Sequence, residues 1–562
     1  MGRRITEFKK CKVLPISLVF WILCNATTYY VRPDGNNANP GTGPLASQAW
    51  QTVSKAASEM NSPGDVVYVA PGIYPEEVEI IYSGDTTDKI FYIADTDGSE
   101  FPDIGPGPVI IDRGANTDGF ILLGASYIVI DGFTIRNSNR DGIYLDTYYS
   151  RPCSHNEIKN CIIESPDNCG IYLYATADDP NYYLCNFNEI HHNKIINAGD
   201  DGIVIKGGYD GYVNADYACK YNSVYNNEID CNGYGVYAYY GIEHLNVYNN
   251  KISTNDGIGI YLPGAHLKNY IEIYNNMIYN SEMGIYQWSG ANCNYCKILF
   301  NSFYTTGICV HWEFGEIENG DLVEIKNNIF YTTSPSYLDY CLFVWDDIDM
   351  ETPEINYNHY YRSATNNSYA AYTTVHVYDL NEFNNWKTDW GFDLNSTWGS
   401  DPLFKSPTDL HILQFSPCRE KGIPLGAPYN IDIDGEIRDN AHPDIGADEY
   451  YSGTEIVEQR KGYNSSQFSV EVYPNPFKNA TRIIFKALST EVVSDQQSTV
   501  NLRFYDATGK IIKSFNHSPV QLFNQFLWCG DDDSGNKVSP GVYFLTISGG
   551  KFSGTKKIVI VK

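Results

Sequence analysis

Positive charge is what this chain lacks most. Its 39 Lys and Arg stand against 68 Asp and Glu, a formal charge of −29 over 562 residues. That balance repels phosphate backbones and acidic membrane surfaces, and it excludes a nucleic-acid partner. Met is scarce (5), whereas Tyr and Gly each number 47, a bias away from helices and toward strands and turns. Beyond the N-terminus no apolar run is long enough to span a bilayer, so the mature chain is expected to carry no transmembrane segment. The 14 Cys follow no compact disulfide spacing, and the pair Cys293 and Cys296 lacks the second pair that a zinc site requires.

What is present begins with a basic stretch (Arg3, Arg4, Lys9, Lys10, Lys12), the apolar run "VLPISLVFWILC" and the small residues of "CNAT". This is the layout of a secretory signal, expected to end near Ala26, so residues 1–26 are set apart as a signal peptide. Between about residues 126 and 330 one phrase then recurs: an Asn- or Gly-led apolar strand, a polar turn, and a glycine followed by an alternating strand. "NCIIESPDNCGIYLY", "NKIINAGDDGIVIK", "NEIDCNGYGVYAY" and "NKISTNDGIGIYL" are copies, and self-similarity of this kind is the mark of stacked repeats.

The aligned glycines are Gly142, Gly170, Gly202, Gly235, Gly259, Gly284 and Gly307, with rungs advancing by 23 to 33 residues. Such steps leave no room for helices, and a right-handed parallel β-helix is expected over 81–450, its strands about 4.8 Å apart. Period-two alternation sends Ile143, Ile171, Ile203, Val236, Ile260, Ile285 and Ile308 inward, followed two residues later by Leu145, Leu173, Ile205, Ala238, Leu262, Gln287 and Val310. The other parity faces out and is rich in rings. Tyr144, Tyr172, Tyr237, Tyr261 and Tyr286 form one column with Val204 and Cys309; Tyr174, Tyr239 and Trp288 form the next with Asp146, Lys206, Pro263 and His311. Such a strip can stack sugar rings or simply stabilise the sheet through cross-strand pairs.

Both ends carry motifs. "YVRPDG", "NPGTG", "AWQTVSKAASEM" and "PGDVVYVAPGIY" (within Tyr29 to Val78) resemble the opening of secreted right-handed β-helix proteins, polysaccharide lyases among them. The amphipathic "AWQTVSKAASEM" is expected to be a helix covering the open end of the solenoid, so 27–80 is a capping segment. "SPCREKGIPLGAPYNIDIDGEIRDNAHPDIGADEY" is similar to the closing segment of such proteins, with Asp432, Asp434 and Asp444 as turn residues. Past a polar linker (451–467), "VYPNPFKNATRIIFKA", "VNLRFYDATGKIIKSF" and "GVYFLTISGG" resemble the C-terminal sorting domains of type IX secretion. Over 468–562 that resemblance implies an immunoglobulin-like β-sandwich, recognition by the type IX export machinery, and a place outside the cell or on its outer surface. "DDDSG" within it is a hairpin turn.

Chemistry concentrates in "GDDGIVIK". Asp200, Asp201 and Gly202 resemble the calcium rung of family 9 pectate lyases, where another carboxylate follows the glycine by two residues; Val204 stands there instead. The resemblance implies calcium on Asp200 and Asp201, with Asp167, Asp178, Asp179, Asp210 and Asp216 as further oxygen donors. Lys206 is the candidate catalytic residue: an amine can take the proton alpha to a uronate carboxylate, although nearby aspartates would hold it protonated. "NTDG" (116–119) and "GDD" resemble polygalacturonase motifs, without that family's other signatures. The adjacent His191 and His192 alternate faces, one buried and one exposed. Two readings follow: an exported protein binding polysaccharide along the aromatic columns (Tyr144, Tyr172, Tyr174, Tyr237, Tyr239, Tyr261, Tyr286, Trp288), or a calcium-dependent lyase acting on a uronate polymer by β-elimination.

Overall fold

The computed structural model describes residues 26–112, 117–148, 151–175, 184–207, 219–263, 268–288, 295–313, 323–336, 339–345, 353–364, 369–372, 377–379 and 381–451, and beyond these 468–473, 481–487, 500–506, 510–517, 525–528, 530–532, 537–549 and 552–560. The signal peptide up to 25 and the linker from 452 lie outside the described residues. The chain divides into two units, Met1–Tyr450 and Tyr451–Lys562.

The first unit is a parallel β-helix of three 12-stranded sheets. One coil shows the plan. Glu189–His191 belongs to sheet 1, Lys194–Ala198 to sheet 2 and Ile203–Lys206 to sheet 3, and Ser223–Tyr225 returns to sheet 1 a coil further on. In sheet 3, Ile143, Ile171, Ile203, Val236, Ile260 and Ile285 pair in register and are all fully buried. The glycine before each is fixed by sterics. A Cβ on Gly202 would lie 2.5 Å from the carbonyl oxygen of Gly235 and 2.3 Å from Ile229.

Two expectations are corrected. Ile285 pairs with Val310 and Gln287 with Trp312, so the rung expected at Gly307 is shifted by two: Val310 and Trp312 take the inward parity and His311 the outward one, while Glu313 is buried. Ile308 instead joins a side cluster with Tyr340 and Phe343. Val204, expected on the exposed parity, is only 2% exposed. Its neighbours Tyr172 and Tyr237 flank it in register, and the Tyr172 hydroxyl reaches the Tyr239 hydroxyl two rungs away at 3.5 Å, closing over it.

Asparagines hold the coil-to-coil geometry at the turn between sheets 1 and 2. Asn193, Asn227, Asn250, Asn276, Asn301, Asn328 and Asn358 are buried in one column, each side-chain oxygen accepting the backbone N–H of the equivalent residue one coil earlier. Asn276 Oδ1 accepts from Asn250 N at 3.0 Å while its Nδ2 donates to Val247 O at 2.9 Å. Asn276→Leu strands both groups in the core and is expected to destabilise the solenoid by about 3 kcal/mol, read as a lower urea midpoint with an unchanged slope.

Val53–Glu59 is the expected helix, capped by Thr52, and its Val53, Ala56 and Ala57 enter the same core as Val31, Val67 and Val78 of the first coil. The closing segment folds back along the outer face of sheet 2. Leu410, Ile433 and Ala447 pack on Met277, and Ile412, Cys418 and Ile445 on Ile329. Asp432 and Asp444 organise its turns, accepting backbone N–H groups from Glu436, Glu449, Glu420 and Tyr450. The ten described cysteines are buried.

The second unit is all-β, with antiparallel sheets of three and four strands. Trp528 of the first packs against Phe504 and Tyr543 of the second.

Candidate functional site

Three features single out the outer face of sheet 3. The later coils of sheet 2, around Met277 and Ile329, are covered by the closing segment. The turns from sheet 1 to sheet 2 are tight, as between His191 and Lys194. The long connections leave the C-terminal ends of sheet 3 strands, 175–188 after Tyr174 and 207–222 after Lys206 being the longest in the stretch from coil to coil. Loops gathered along one side of a rigid repeat are where binding residues concentrate.

The columns assemble as the alternation requires. Tyr237 stacks on Tyr239 (4.3 Å, 17°) and on Tyr261 (5.4 Å, 7°), and Tyr261 on Tyr286 (5.2 Å, 17°); Tyr144 is tilted against Tyr172, which stacks on Tyr174. Their faces are turned largely toward one another; the Tyr144 hydroxyl donates to Asp146 at 3.1 Å, and the Tyr172 and Tyr239 hydroxyls meet. Trp288 differs: its side chain is 49% exposed, and no described ring stacks on it.

Lys206 lies between rings, its Nζ 4.5 Å from the Tyr174 centroid and 5.4 Å from that of Tyr239. Cation–π attraction holds it there. Among the described residues no carboxylate pairs with it, and partial burial lowers its pKa. Asp201 stands five positions before Lys206, roughly 16 Å along an extended chain, and the aspartates of the adjoining insertions lie outside the described residues.

Asp201 has a different role. It is buried, and its Oδ1 accepts the Tyr234 N–H at 2.7 Å. Asp118 does the same for Asp141 N (2.8 Å), and Asp141 for Cys169 N (3.1 Å). These residues stand just before the column glycines, and their carboxylates tie successive coils together. Burial, and then the neighbouring Asp200 and Asp141 carboxylates, push Asp201 up to about 7; burial also raises Asp118 to about 6. Gly233 leaves room for the acidic pair, since a Cβ there would lie 2.5 Å from Asp201 Oδ1 and 2.9 Å from Asp200 Oδ1.

Cys169, Asp200 and Asp201 bring ligand atoms within 4.8 Å of one another. Calcium takes six to eight oxygens and no thiolate, and one oxygen of Asp201 is already committed to the backbone. Among the described residues this set does not fit calcium. Asp167 is exposed in the preceding coil, and Asp178, Asp179, Asp210 and Asp216 lie outside the described residues. The polygalacturonase-like pairing of Asp118 with Asp201 spans three coils, roughly 14 Å, against the 6.5–9.5 Å that inverting hydrolysis uses.

Histidines meet carboxylates or one another at three further places in the first unit. His411 donates through Nε2 to Asp434 (2.8 Å) and through Nδ1 to Asp409. The Asp434 hydrogen bond leads in raising it to about 9, and an imidazolium has no lone pair for a metal. His191 and His192 share a 2.7 Å Nδ1–Nδ1 contact, His191 buried and stacked on Tyr225 and His192 exposed. Sequence reasoning misses the pair on sheet 3 itself, His311 Nε2 to Glu313 Oε1 at 2.9 Å, because the Gly307 register places His311 two residues out and leaves Glu313 off the strand. His311 sits between Tyr286 (4.5 Å) and Phe343 (4.2 Å). Burial lowers its pKa, against an opposing pull from Glu313.

Residues 109–218 match the family described as "Right handed beta helix region", and residues 471–561 match "Secretion system C-terminal sorting domain". The chain is thus a right-handed parallel β-helix repeat protein carrying a type IX sorting domain. No curated protein matches it significantly. Among solved structures it is similar to a GH136 lacto-N-biosidase from Eubacterium ramulus, at 14% identity and TM-score 0.40 over 55% of this chain, and it spans 64% of that protein's length. It is also similar to pectate lyase Pel9A (15% identity, TM-score 0.47, 76% of this chain and 96% of that one) and to XylC in complex with xylose (12%, 0.41, 76% and 99%). No helix among the described residues is long and apolar enough to cross a membrane.

Proposed function

We propose that this is an exported protein, delivered to the outer surface or beyond through its sorting domain, that binds an acidic polysaccharide along the outer face of sheet 3. The observation that carries the reading is Lys206, a half-buried cation between Tyr174 and Tyr239 without a carboxylate partner among the described residues, on a chain of formal charge −29. A cation so placed recognises a uronate carboxylate by a charge-assisted hydrogen bond, while the hydroxyls and edges of Tyr144, Tyr172, Tyr237, Tyr239, Tyr261 and Tyr286 meet the sugar hydroxyls. Titrating the full chain with polygalacturonate and alginate by calorimetry tests this. Tyr237→Ala is expected to weaken binding about tenfold without lowering the folded fraction; unchanged affinity removes the tyrosine columns from the site.

A second reading, β-elimination from a uronate polymer, is favoured by the placement of Lys206 between Tyr174 and Tyr239 with no carboxylate partner among the described residues; partial burial there lowers its pKa, in the direction a general base requires. Lys206 would take the proton alpha to the carboxylate, the β C–O bond would break, and the departing sugar oxygen would take a proton from water, leaving an unsaturated uronide and a free hydroxyl. Among the described residues the Asp200 and Asp201 set does not fit calcium, and no step of this reading is routed through it. Growth of ultraviolet absorbance during incubation with the polymer distinguishes catalysis from binding alone.

A further inference from the structure

Lys206 shares the C-terminal edge of sheet 3 with a second cation. Arg151 follows the strand Ile143–Asp146, and its guanidinium reaches back over the two preceding coils. Nη1 donates to Ile81 O at 2.9 Å and Nη2 to Leu123 O at 3.0 Å, carbonyls at the ends of the strands Val78–Ile80 and Phe120–Leu123. The side chain crosses Gly124, where a Cβ would lie 2.7 Å from Arg151 Cβ and 3.2 Å from its Nε. A glycine at φ 56° thus makes the room that the arginine occupies. A guanidinium carries five N–H groups; the two carbonyls engage one each, and Arg151 is exposed, with no carboxylate in ion-pair range among the described residues. Other cations of the solenoid are neutralised where they stand, Lys159 by Glu157, Lys194 by Glu228 and Lys297 by Glu272. Arg151 and Lys206 are held by neutral groups instead, strand-end carbonyls in one case and ring faces in the other.

We propose that Arg151 is a second carboxylate-binding site on this face, and that together with Lys206 it selects a polyuronate, in which carboxylates recur along the chain, over a polymer with isolated uronates. Three coils, roughly 14 Å along the axis, separate the strand ending at Leu123 from the strand ending at Lys206. That span exceeds one sugar ring, so both cations are engaged only by a chain of linked uronates. Asp146 stands on a coil between them and accepts the Tyr144 hydroxyl at 3.1 Å, which keeps the two cations separate sites. A planar guanidinium fixed through two of its N–H groups presents the others to a carboxylate in set geometry. Because those anchors are already made in the free protein, little ordering is left for binding to impose. This inference rests on the reading of sheet 3 as a glycan-binding face and deepens it by naming the charge pattern of the ligand.

The test is calorimetry of the full chain with polygalacturonate and with oligogalacturonates from the disaccharide to the octasaccharide, thermal unfolding being checked for each variant. In the unmutated chain affinity is expected to rise at least tenfold once the oligomer is long enough to reach both cations. Arg151→Gln is expected to remove that rise and to lower polygalacturonate affinity about tenfold. Arg151→Lys keeps the charge without the fork and is expected to retain part of the rise. Lys421→Gln removes one positive charge from an exposed position of the closing segment and is expected to leave affinity within twofold. A flat length series in the unmutated chain, which needs no variant, would overturn the second site. So would polygalacturonate affinity within twofold after Arg151→Gln, or an equal loss after Lys421→Gln. Failure of polygalacturonate to bind the unmutated chain at all would overturn the glycan-face reading itself, whereas binding that Lys206→Met weakens and Arg151→Gln does not overturns only the second site.

Discussion

Thermal unfolding of the full chain should occur at a lower temperature at pH 8 than at pH 5, by about 5 °C or more. The cause is a set of carboxylates that folding buries. Loss of hydration on burial is the main reason that Asp95 and Asp118 rise to about 6, and Asp201, Asp448 and Glu449 to about 7. Each binds its proton more tightly folded than unfolded, where such groups titrate near pH 4. The folded state therefore holds more protons between pH 4 and 7, and stability falls as pH rises through that window. His411 acts in the same direction from another cause. Raised to about 9 by its carboxylate partners, it contributes stability present below pH 6.5 and lost as pH climbs through 9. His359, lowered to about 4 by burial, opposes the trend between pH 4 and 6.5, one group against five. Below pH 4 the trend reverses as Asp409 protonates, a group that burial would raise but that Lys405 and His411 hold at about 2. Asp201→Asn should flatten the slope while the Tyr234 N–H keeps its acceptor. Calcium should leave the pH 8 unfolding temperature unmoved. A rise in unfolding temperature from pH 5 to pH 8, or recovery on adding calcium, would show that these carboxylates meet a cation instead of a dry core.

How much of this can be read in the sequence depends on the range of each interaction. The inward columns are legible because alternation is local: Ile203 and Ile205 declare themselves within one strand, and pattern alone selects Gly259 over Gly257. Gly307 misleads for a physical reason. The column glycine is required where a Cβ would strike the next coil, but at that rung Cys309 occupies the position, and the strand starts two residues later to bring the larger Trp312 inside. Val204 misleads because its burial comes from outside the strand, through Tyr172 and Tyr239 meeting above it.

Contacts between coils leave the weakest trace, since their partners lie a full repeat apart. The asparagine column is visible as repeated Asn before strands, yet its role emerges only once Asn250 N meets Asn276 Oδ1. A second column stays hidden altogether. Tyr127, His155, Phe187, Tyr221, His244, Tyr270 and Tyr295 each take φ between 51° and 60° and stack at centroid distances of 4.4–4.9 Å. Bulky residues adopt that backbone reluctantly, and ring stacking across seven coils offsets the strain. The acidic rung is the same lesson in miniature. Asp201 looks exceptional inside "GDDGIVIK" but ordinary beside Asp141 and Asp118, which hold backbone N–H groups in the same way two and three coils earlier. Lys206 has no such counterpart.

Lys206→Ala is accordingly the substitution expected to cost most in function. A charge-assisted hydrogen bond to a carboxylate is worth about 1.5–3 kcal/mol, so affinity for polygalacturonate should fall by roughly 10- to 100-fold, measured by calorimetry. Stability should change little, since the amine is half-exposed and its partners are ring faces. The pH profile separates recognition by charge from mere packing. Burial lowers the Lys206 pKa, so binding should weaken as pH rises toward the ordinary lysine value of about 10.4, beginning earlier than an unperturbed lysine would allow. Lys206→Arg should keep binding at high pH, because a guanidinium does not titrate there, at some loss of affinity from its larger head between Tyr174 and Tyr239. Lys206→Met keeps the apolar stem over the rings without the charge. If the methionine variant binds polygalacturonate as well as the unmutated chain does, the lysine is a packing residue of the aromatic column, and the cation that receives the uronate must be sought elsewhere on the molecule.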